Sequence, residues 1–435
     1  MTGEPEHSYT RAERGFVATS AILGYGLDFY NLIIMAFLLV PVQKALGITL
    51  PQTGIIVAMT LTASVVGGIL FGWLGDKIGR KNALLATLLL LGAGAILSAL
   101  AWDFVSLLIF RIVTGIGVGG EWGAGMVLLN EVWHRERRGF GSSVVQAMSS
   151  AGIALASVAA TLSLANIEGD WAWRVPLLVG ALPLILMFFV RSKMPESRLW
   201  LEYRRRRERG ELPPEKLREG TPLLEIVRGA SLQYFIIGTL MCGCFIVNYQ
   251  SISVFMPTLM IRDLGANLAA IRNTTLVFAL VSAIGMIGTG LASDLLGRRR
   301  AVILSALVSV VTLAGMYATG STRYPGGISA WPLVWWYVLW GFGQGAFGQF
   351  GPWFSELYPV EMRSTAASTI FTAGRLFGSM APYVVPVLAG TLGSLIDAMM
   401  LAVVGSVVTL LLAFMLPETV GRPFAVIESK ERTAA

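Results

Sequence analysis

The sequence predicts an all-α membrane protein, with twelve transmembrane helices arranged as two pseudo-symmetric six-helix bundles. Three observations carry that prediction. The chain is too apolar for a water-soluble domain. Its apolar stretches come as six, a charged gap, then six more. Short polar motifs that follow spans of the first set recur after the matching spans of the second.

Of 435 residues, 55% are hydrophobic and 14% charged, and mean hydropathy is +0.68. A soluble domain carries about 25% charged residues. The net charge of +7 does not point to nucleic acid, because the basic residues sit in loops between apolar spans. Cys242 and Cys244 are too close in sequence for an unstrained disulfide and have no His or Cys beside them to build a metal site. Both read as small helix residues. The first apolar stretch follows Arg11 and Arg14 and is long enough to span, so it reads as a retained signal anchor.

A bilayer core takes roughly 20 apolar residues per helix. Spans are expected at about 17–40, 52–74, 82–101, 105–128, 140–164 and 174–192, then about 231–256, 273–296, 301–320, 332–354, 365–390 and 395–416. This divides the chain into a bundle over 1–192, a linker over 193–230 and a bundle over 231–435. With both termini inside, 26 Lys and Arg fall on inner segments and 5 on outer ones. That asymmetry predicts a multi-pass protein of a bacterial-type cytoplasmic (inner) membrane, with both termini cytoplasmic. The linker holds Arg204 to Arg207, then Pro213 and Pro214. It reads as a solvated, topology-enforcing segment, with anionic lipid headgroups as a further partner.

The repeat is specific. Gly72, Asp76, Gly79, Arg80 and Lys81 after span 2 match Gly290, Asp294, Gly297, Arg298 and Arg299 after span 8, each 218 residues on. Glu131 with Arg138 matches Glu356 with Arg363, and Pro195-Glu196-Ser197 matches Pro417-Glu418-Thr419. Duplicated halves are a transporter architecture, with the site between them near the midplane.

The segment Gly72–Lys81 resembles the signature loop of the major facilitator superfamily. Arg111-Ile-Val-Thr-Gly115-Ile-Gly117 resembles that family's fourth-helix motif, and Pro195-Glu196-Ser197-Arg-Leu-Trp resembles the end of the sixth helix in its sugar porters. Gly119-Gly-Glu121-Trp-Gly-Ala with Glu131 and Arg138 is similar to the metabolite–proton symporters. Leu27-Asp28-Phe-Tyr is similar to the sialate, lactate and aromatic-acid branches. The resemblance implies alternating access, a latch at the half–half seam built on the signature loop, and a monomer. Asp28 and Arg111 fall where proton-coupled sugar porters pair a helix 1 Asp with a helix 4 Arg.

Ionisable residues inside a membrane are expensive, so each is a functional hypothesis. Arg375, near the middle of span 11, is the first candidate. Its guanidinium fork matches a carboxylate bidentately, which makes it a substrate clamp; the competing reading is a structural ion pair to Asp28. Asp28 is the best proton carrier, since desolvation and a nearby cation push its pKa in opposite directions. Glu121 is either a second proton site or an inner-rim partner of Arg135. Tyr25, Asp28 and Asn31 share one helix face, and Gln146, Ser149 and Ser150 share another. Asn248, Tyr249, Gln344 and Tyr383 complete the expected substrate set. Gly68 and Gly72 are expected to form a small-residue contact face, and Asp76 and Arg80 to pair across the half–half seam; with Gly72, Gly79, Asp294 and Arg298 they make the expected gating set. Gly341, Gly343, Gly345, Gly348, Gly351 and Pro352 make span 10 bendable, as Pro382 and Pro386 do span 11.

The leading expectation is proton-coupled symport of a small organic acid. The alternative within transport is a sugar or polyol porter, or an exporter. An enzyme is not expected: His7 and His134 lie in expected cytoplasmic segments, and no nucleophile–base set occurs within a span. No cofactor or metal is expected.

Overall fold

A computed structural model describes residues 10–132, 138–196, 229–320, 330–358 and 363–420, with 201, 204, 205, 208 and 209 of the intervening segment. The remaining linker residues lie outside it. Helices α1 to α5 run over Arg11–Leu46, Leu50–Ile78, Arg80–Ala99, Phe104–Val132 and Arg138–Asn166. The α6 span is broken into Trp171–Val179 and Pro183–Lys193. The second bundle has α7 as Gly229–Ser253 plus Met256–Arg262, α8 as Leu268–Leu296 and α9 as Arg298–Gly320. Then come α10 as Ala330–Phe342 and Phe347–Glu356, α11 as Arg363–Gly378 and Ala381–Leu392, and α12 as Leu395–Met399 and Leu401–Met415. Each rod coincides with an expected span and extends up to a few residues beyond most of the expected edges. By the Lys and Arg distribution, the ends that carry Gly79, Gly297 and the 193–230 linker are the expected inner ends.

The breaks have sequence causes. Pro183 starts the second piece of α6, and Pro257 that of α7. In α10 the turn Gly343–Ala346 is 3₁₀, the tighter winding that marks a hinge when it interrupts an α-helix. Pro382 follows the α11 break. Four of the five broken spans belong to the second bundle, so that half holds most of the bendable backbone. Among the described residues, nine helices are long and apolar enough to cross a membrane; the broken α10 and α11 are not among them.

Helices α2, α3 and α4 pack through glycine. A Cβ on Gly115 would stand 2.2 Å from the Thr60 carbonyl oxygen, and one on Gly119 1.7 Å from that of Ser64. This is the close approach that small residues permit where lipid offers no hydrophobic drive. The expected face of Gly68 and Gly72 is corrected at Gly72 only; a Cβ on Gly68 would lie 3.5 Å from the Gly119 carbonyl oxygen of α4. A Cβ on Gly72 meets nothing within 4 Å, and Gly67, against the Ile116 carbonyl, makes the contact instead.

The repeated marks are joined in space. Gly79 and Gly297 hold φ of 99° and 102°, and helices α3 and α9 start immediately after them. Glu196 accepts from the Arg80 backbone at 2.8 Å and from Lys81 at 3.2 Å. Glu418 accepts from Arg298 at 2.8 Å and from Arg299 at 3.2 Å. The residue just past each bundle's last helix thus caps that bundle's third helix, satisfying orphan amides with a negative charge where the helix dipole favours one.

The second-half loop charges pair within their own half. Arg298 binds Asp294 at 2.7 Å and Glu356 at 3.1 Å, and Thr419 donates to Glu356 at 2.6 Å. Their helices α8, α9 and α10 belong to one bundle, so the network ties that bundle's inner end together. The Asp76 side chain lies outside the described residues.

Candidate functional site

Both halves meet along α2–α11, α5–α8, α5–α10 and α1–α7. At the outer end, Ile33, Phe37 and Leu38 of α1 join Ile252, Phe255, Met256 and Leu259 of α7 in one buried cluster. Arg262 there donates to Gln43 across the seam at 2.5 Å. Thr62 and Ser379 share a hydrogen bond of 3.0 Å between α2 and α11.

Deeper along that seam is Arg375, three residues before the end of the first α11 piece. Its Nη1 donates to Ser64 Oγ of α2 at 3.5 Å, and its guanidinium carbon lies 5.2 Å from the centre of the Phe371 ring. The titratable groups acting on it are Tyr25 and Asp28 of α1 and Cys242 of α7. Gly374 fits against Cys242 and Gly378 against Ile246, so α11 and α7 approach closely on either side of it. Arg375 therefore sits where α1, α2, α7 and α11 meet, with a 2%-exposed carboxylate, Asp28, acting on it.

Arg111 is 1% exposed and donates through Nη2 to the Asn31 carbonyl oxygen. Its Nε and Nη1 have no hydrogen-bond partner, and no carboxylate pairs with it, among the described residues. Asp28 thus lies near Arg375, while Arg111 of α4 donates to the α1 backbone one turn past Asp28. The Asn31 amide donates to the carbonyls of Leu27 and Gly180 at 3.1 and 2.9 Å. It anchors α1 to the break in α6.

Gln146 Nε2 donates to the Phe347 carbonyl at 3.2 Å, and Gln349 Nε2 donates to Ser143 Oγ at 3.2 Å. These are struts from α5 to α10 just past the 3₁₀ turn. Tyr383 is 40% exposed and lies beyond the α11 break. The break ends the helical register that would have stacked it over Arg375. The Glu121 side chain lies outside the described residues.

Asn248 and Tyr249 are buried against an aromatic wall. Tyr249 stacks on Trp340 at 6.0 Å and meets Phe347 edge-on at 5.6 Å, and Phe278 stacks on Trp340 at 5.7 Å and on Tyr337 at 4.6 Å. Trp340 Nε1 donates to Asn248 Oδ1 at 3.1 Å, and Gln344 Nε2 donates to the Trp340 carbonyl at 3.3 Å. Cys242, Phe245 and Tyr249 follow one face of α7. Phe245, one turn past Cys242, meets Phe347 edge-on at 4.8 Å, so the wall adjoins the turn of α7 that packs against Gly374. The sequence reading omitted Ser64, Trp340 and Phe347. Trp340, a large ring bearing one N–H at the edge of a glycine-rich stretch, was the available signal for the wall.

The family model described as Major Facilitator Superfamily matches residues 20–382 and again 239–433. The chain belongs to the major facilitator superfamily. It is a multi-pass secondary transporter of metabolites, not an enzyme. It is 30% identical over 92% of its length to a putative metabolite transport protein of Haemophilus influenzae, covering 95% of that protein. It is 29% identical to a probable 4-methylmuconolactone transporter of Cupriavidus pinatubonensis, over 85% of this chain and 82% of the other. With a sialic acid transporter of Escherichia coli it shares 23% identity, over 90% and 92% of the two chains. The solved structure of a proton:xylose symporter bound to 6-bromo-6-deoxy-D-glucose superimposes with a TM-score of 0.78 at 18% identity, over 97% of this chain and all of the other. That likeness establishes the major facilitator fold.

Proposed function

We propose that this transporter carries a small organic acid together with protons, by alternating access between its two bundles. The observation that carries the reading is Arg375. It is a cation at mid-seam, touching Ser64 of the other half and acted on by Asp28 and Tyr25. A guanidinium there is matched to a carboxylate, and an acid entering the seam competes with Asp28 for it. Asp28, displaced from the cation and still buried, then favours its protonated form. Proton and acid load together, and release of the acid returns Asp28 to Arg375 and expels the proton. Arg111, one turn along α1 and lacking a carboxylate among the described residues, is the second resting place for the Asp28 charge. Relatives whose names include sialic acid and methylmuconolactone transporters support a metabolite cargo. The Lys and Arg distribution supports two cytoplasmic termini in an inner membrane, with 193–230 as the linker. The glycines and prolines of α10 and α11 support gating largely by the second bundle.

The test is uptake into proteoliposomes under an inward proton gradient, with a panel of labelled monocarboxylates, aromatic acids, sialate and sugars. Wild type should accumulate an acid, Asp28→Asn should exchange it without accumulation, and Arg375→Ala should no longer bind it. Accumulation of a neutral sugar, with Arg375→Ala altering only thermal stability, would overturn the acid reading.

A further inference from the structure

Away from the seam, at the end of the second bundle opposite the Arg298 network, α9, α11 and α12 enclose a cavity of about 370 Å³. It is lined by Ala314 and Tyr317 of α9, Leu392 of α11, and Asp397, Met400 and Val403 of α12. The lining changes character with depth. Tyr317 and Asp397 stand in the terminal turns of α9 and α12, while Ala314, Met400 and Val403 lie one or two turns further in. Polar side chains are thus confined to the rim, which Leu392, the last residue of α11, completes. Ala314 and Leu392 are exposed, so the cavity opens sideways. It opens onto a surface where Val311 of α9 and Val404 of α12 are 60% and 57% exposed, an apolar face of the kind that membrane helices turn to acyl chains. Asp397 is the one charged member of the lining and is half-buried. The Ser394 hydroxyl accepts from its backbone amide at 3.3 Å, which fixes the turn that carries the carboxylate.

We infer that this cavity is a binding site for a phospholipid with a primary-amine headgroup, phosphatidylethanolamine, in the leaflet expected to be outer. The inference is independent of the acid–proton reading. A lipid standing beside the helices is polar at the rim and apolar below it, which is the polarity profile of the lining. Asp397 selects the headgroup. A half-buried carboxylate next to acyl chains gains from a cation, and no Lys or Arg lines the cavity among the described residues. A primary ammonium brings three N–H donors to that carboxylate. A choline nitrogen carries the same charge with no N–H to donate, and a glycerol headgroup leaves its phosphate charge facing Asp397 uncompensated. Tyr317 suits the same boundary, since a tyrosine ring with its polar tip favours the level where acyl chains give way to headgroups.

The experiment places the purified full chain in phosphatidylglycerol nanodiscs with a trace of phosphatidylethanolamine or phosphatidylcholine that carries a photoreactive diazirine on one acyl chain, and maps the labelled peptides. In wild type the ethanolamine probe should label the peptides around Ala314 and Met400–Val403 at least about fivefold more than the choline probe, the effect of one charge-assisted hydrogen bond at a partly exposed site. Asp397→Asn keeps the backbone amide that Ser394 caps and should bring the two probes to equal labelling. Val403→Trp fills the cavity, leaves the carboxylate in place and should remove the labelling by both. Equal labelling by the two probes in wild type overturns the inference. So does a preference that survives Asp397→Asn, or labelling that survives Val403→Trp. Displacement of the probe by dodecylammonium but not by unlabelled phosphatidylethanolamine overturns the phospholipid assignment.

Discussion

Gly119→Ala and Gly72→Ala are chemically the same change on two helices of one bundle, and the structure gives them opposite signs. Alanine in place of glycine within a helix stabilises by about 0.5–1 kcal/mol when nothing obstructs the methyl group. At Gly72 nothing lies within 4 Å, so that gain stands. At Gly119 the new carbon would be 1.7 Å from the Ser64 carbonyl oxygen, half of the 3.4 Å at which ordinary contact begins. The obstacle is helix backbone and has no rotamer to change, so α2 and α4 must separate. Overpacking of this kind costs about 1–3 kcal/mol, which exceeds the helix-propensity gain. The gain is common to both, so the two variants should differ by about 1–3 kcal/mol, a spread of several degrees in melting temperature of the detergent-solubilised protein. Ser64 also holds Arg375, so Gly119→Ala should weaken acid binding while Gly72→Ala leaves it unchanged. Equal melting temperatures would refute the close α2–α4 packing, and unchanged acid binding in a destabilised Gly119→Ala would refute the link to Arg375.

Glu418 accepts from the backbone amides of Arg298, Arg299, Thr419 and Val420. Glu418→Ala should therefore lower stability by about 1–3 kcal/mol, read as a loss in melting temperature, with the fold retained. Asp103, at the outer start of α4, accepts from the Ser106 amide at 2.7 Å, and hydrogen bonds from Ser106 hold its carboxyl below the usual range. A carboxylate whose pKa is lowered on folding stabilises above its unfolded pKa and loses that contribution as pH falls through the folded value. Wild type should thus melt higher than Asp103→Asn at neutral pH, and the gap should close below about pH 4.

The rods were legible because apolar runs near twenty residues, bounded by Lys, Arg, Gly and Pro, leave a membrane helix little choice of position. The bends in α10 and α11 were legible from their glycines and prolines. Those in α6 and α7 were not: a lone Pro183 in mid-span is tolerated in a membrane helix, and Pro257 stands at a span end, where it reads equally well as a terminus. Charges in apolar surroundings drew attention to Asp28, Arg111 and Arg375. The polar neutral residues were harder. Asn31 and Gln146 lie on faces consistent with a cavity, yet their amides are held by the carbonyls of Gly180 and Phe347. Periodicity assigns a face but not the neighbour across from it, and in lipid a helix–helix hydrogen bond satisfies an amide as well as a ligand does. Likewise, the Pro-Glu marks were visible as repeats, but not as caps on helices more than a hundred residues upstream.

Those two caps also bear on the order in which the protein is made. Glu196 follows every helix of the first bundle, so that bundle can fasten its own loop before any helix of the second has left the ribosome. Glu418 is likewise the last part its bundle needs. The second bundle therefore stays unfastened through the synthesis of all six of its helices, while a finished first bundle already stands beside it in the membrane. The early half is in a position to act as the surface on which the later half assembles.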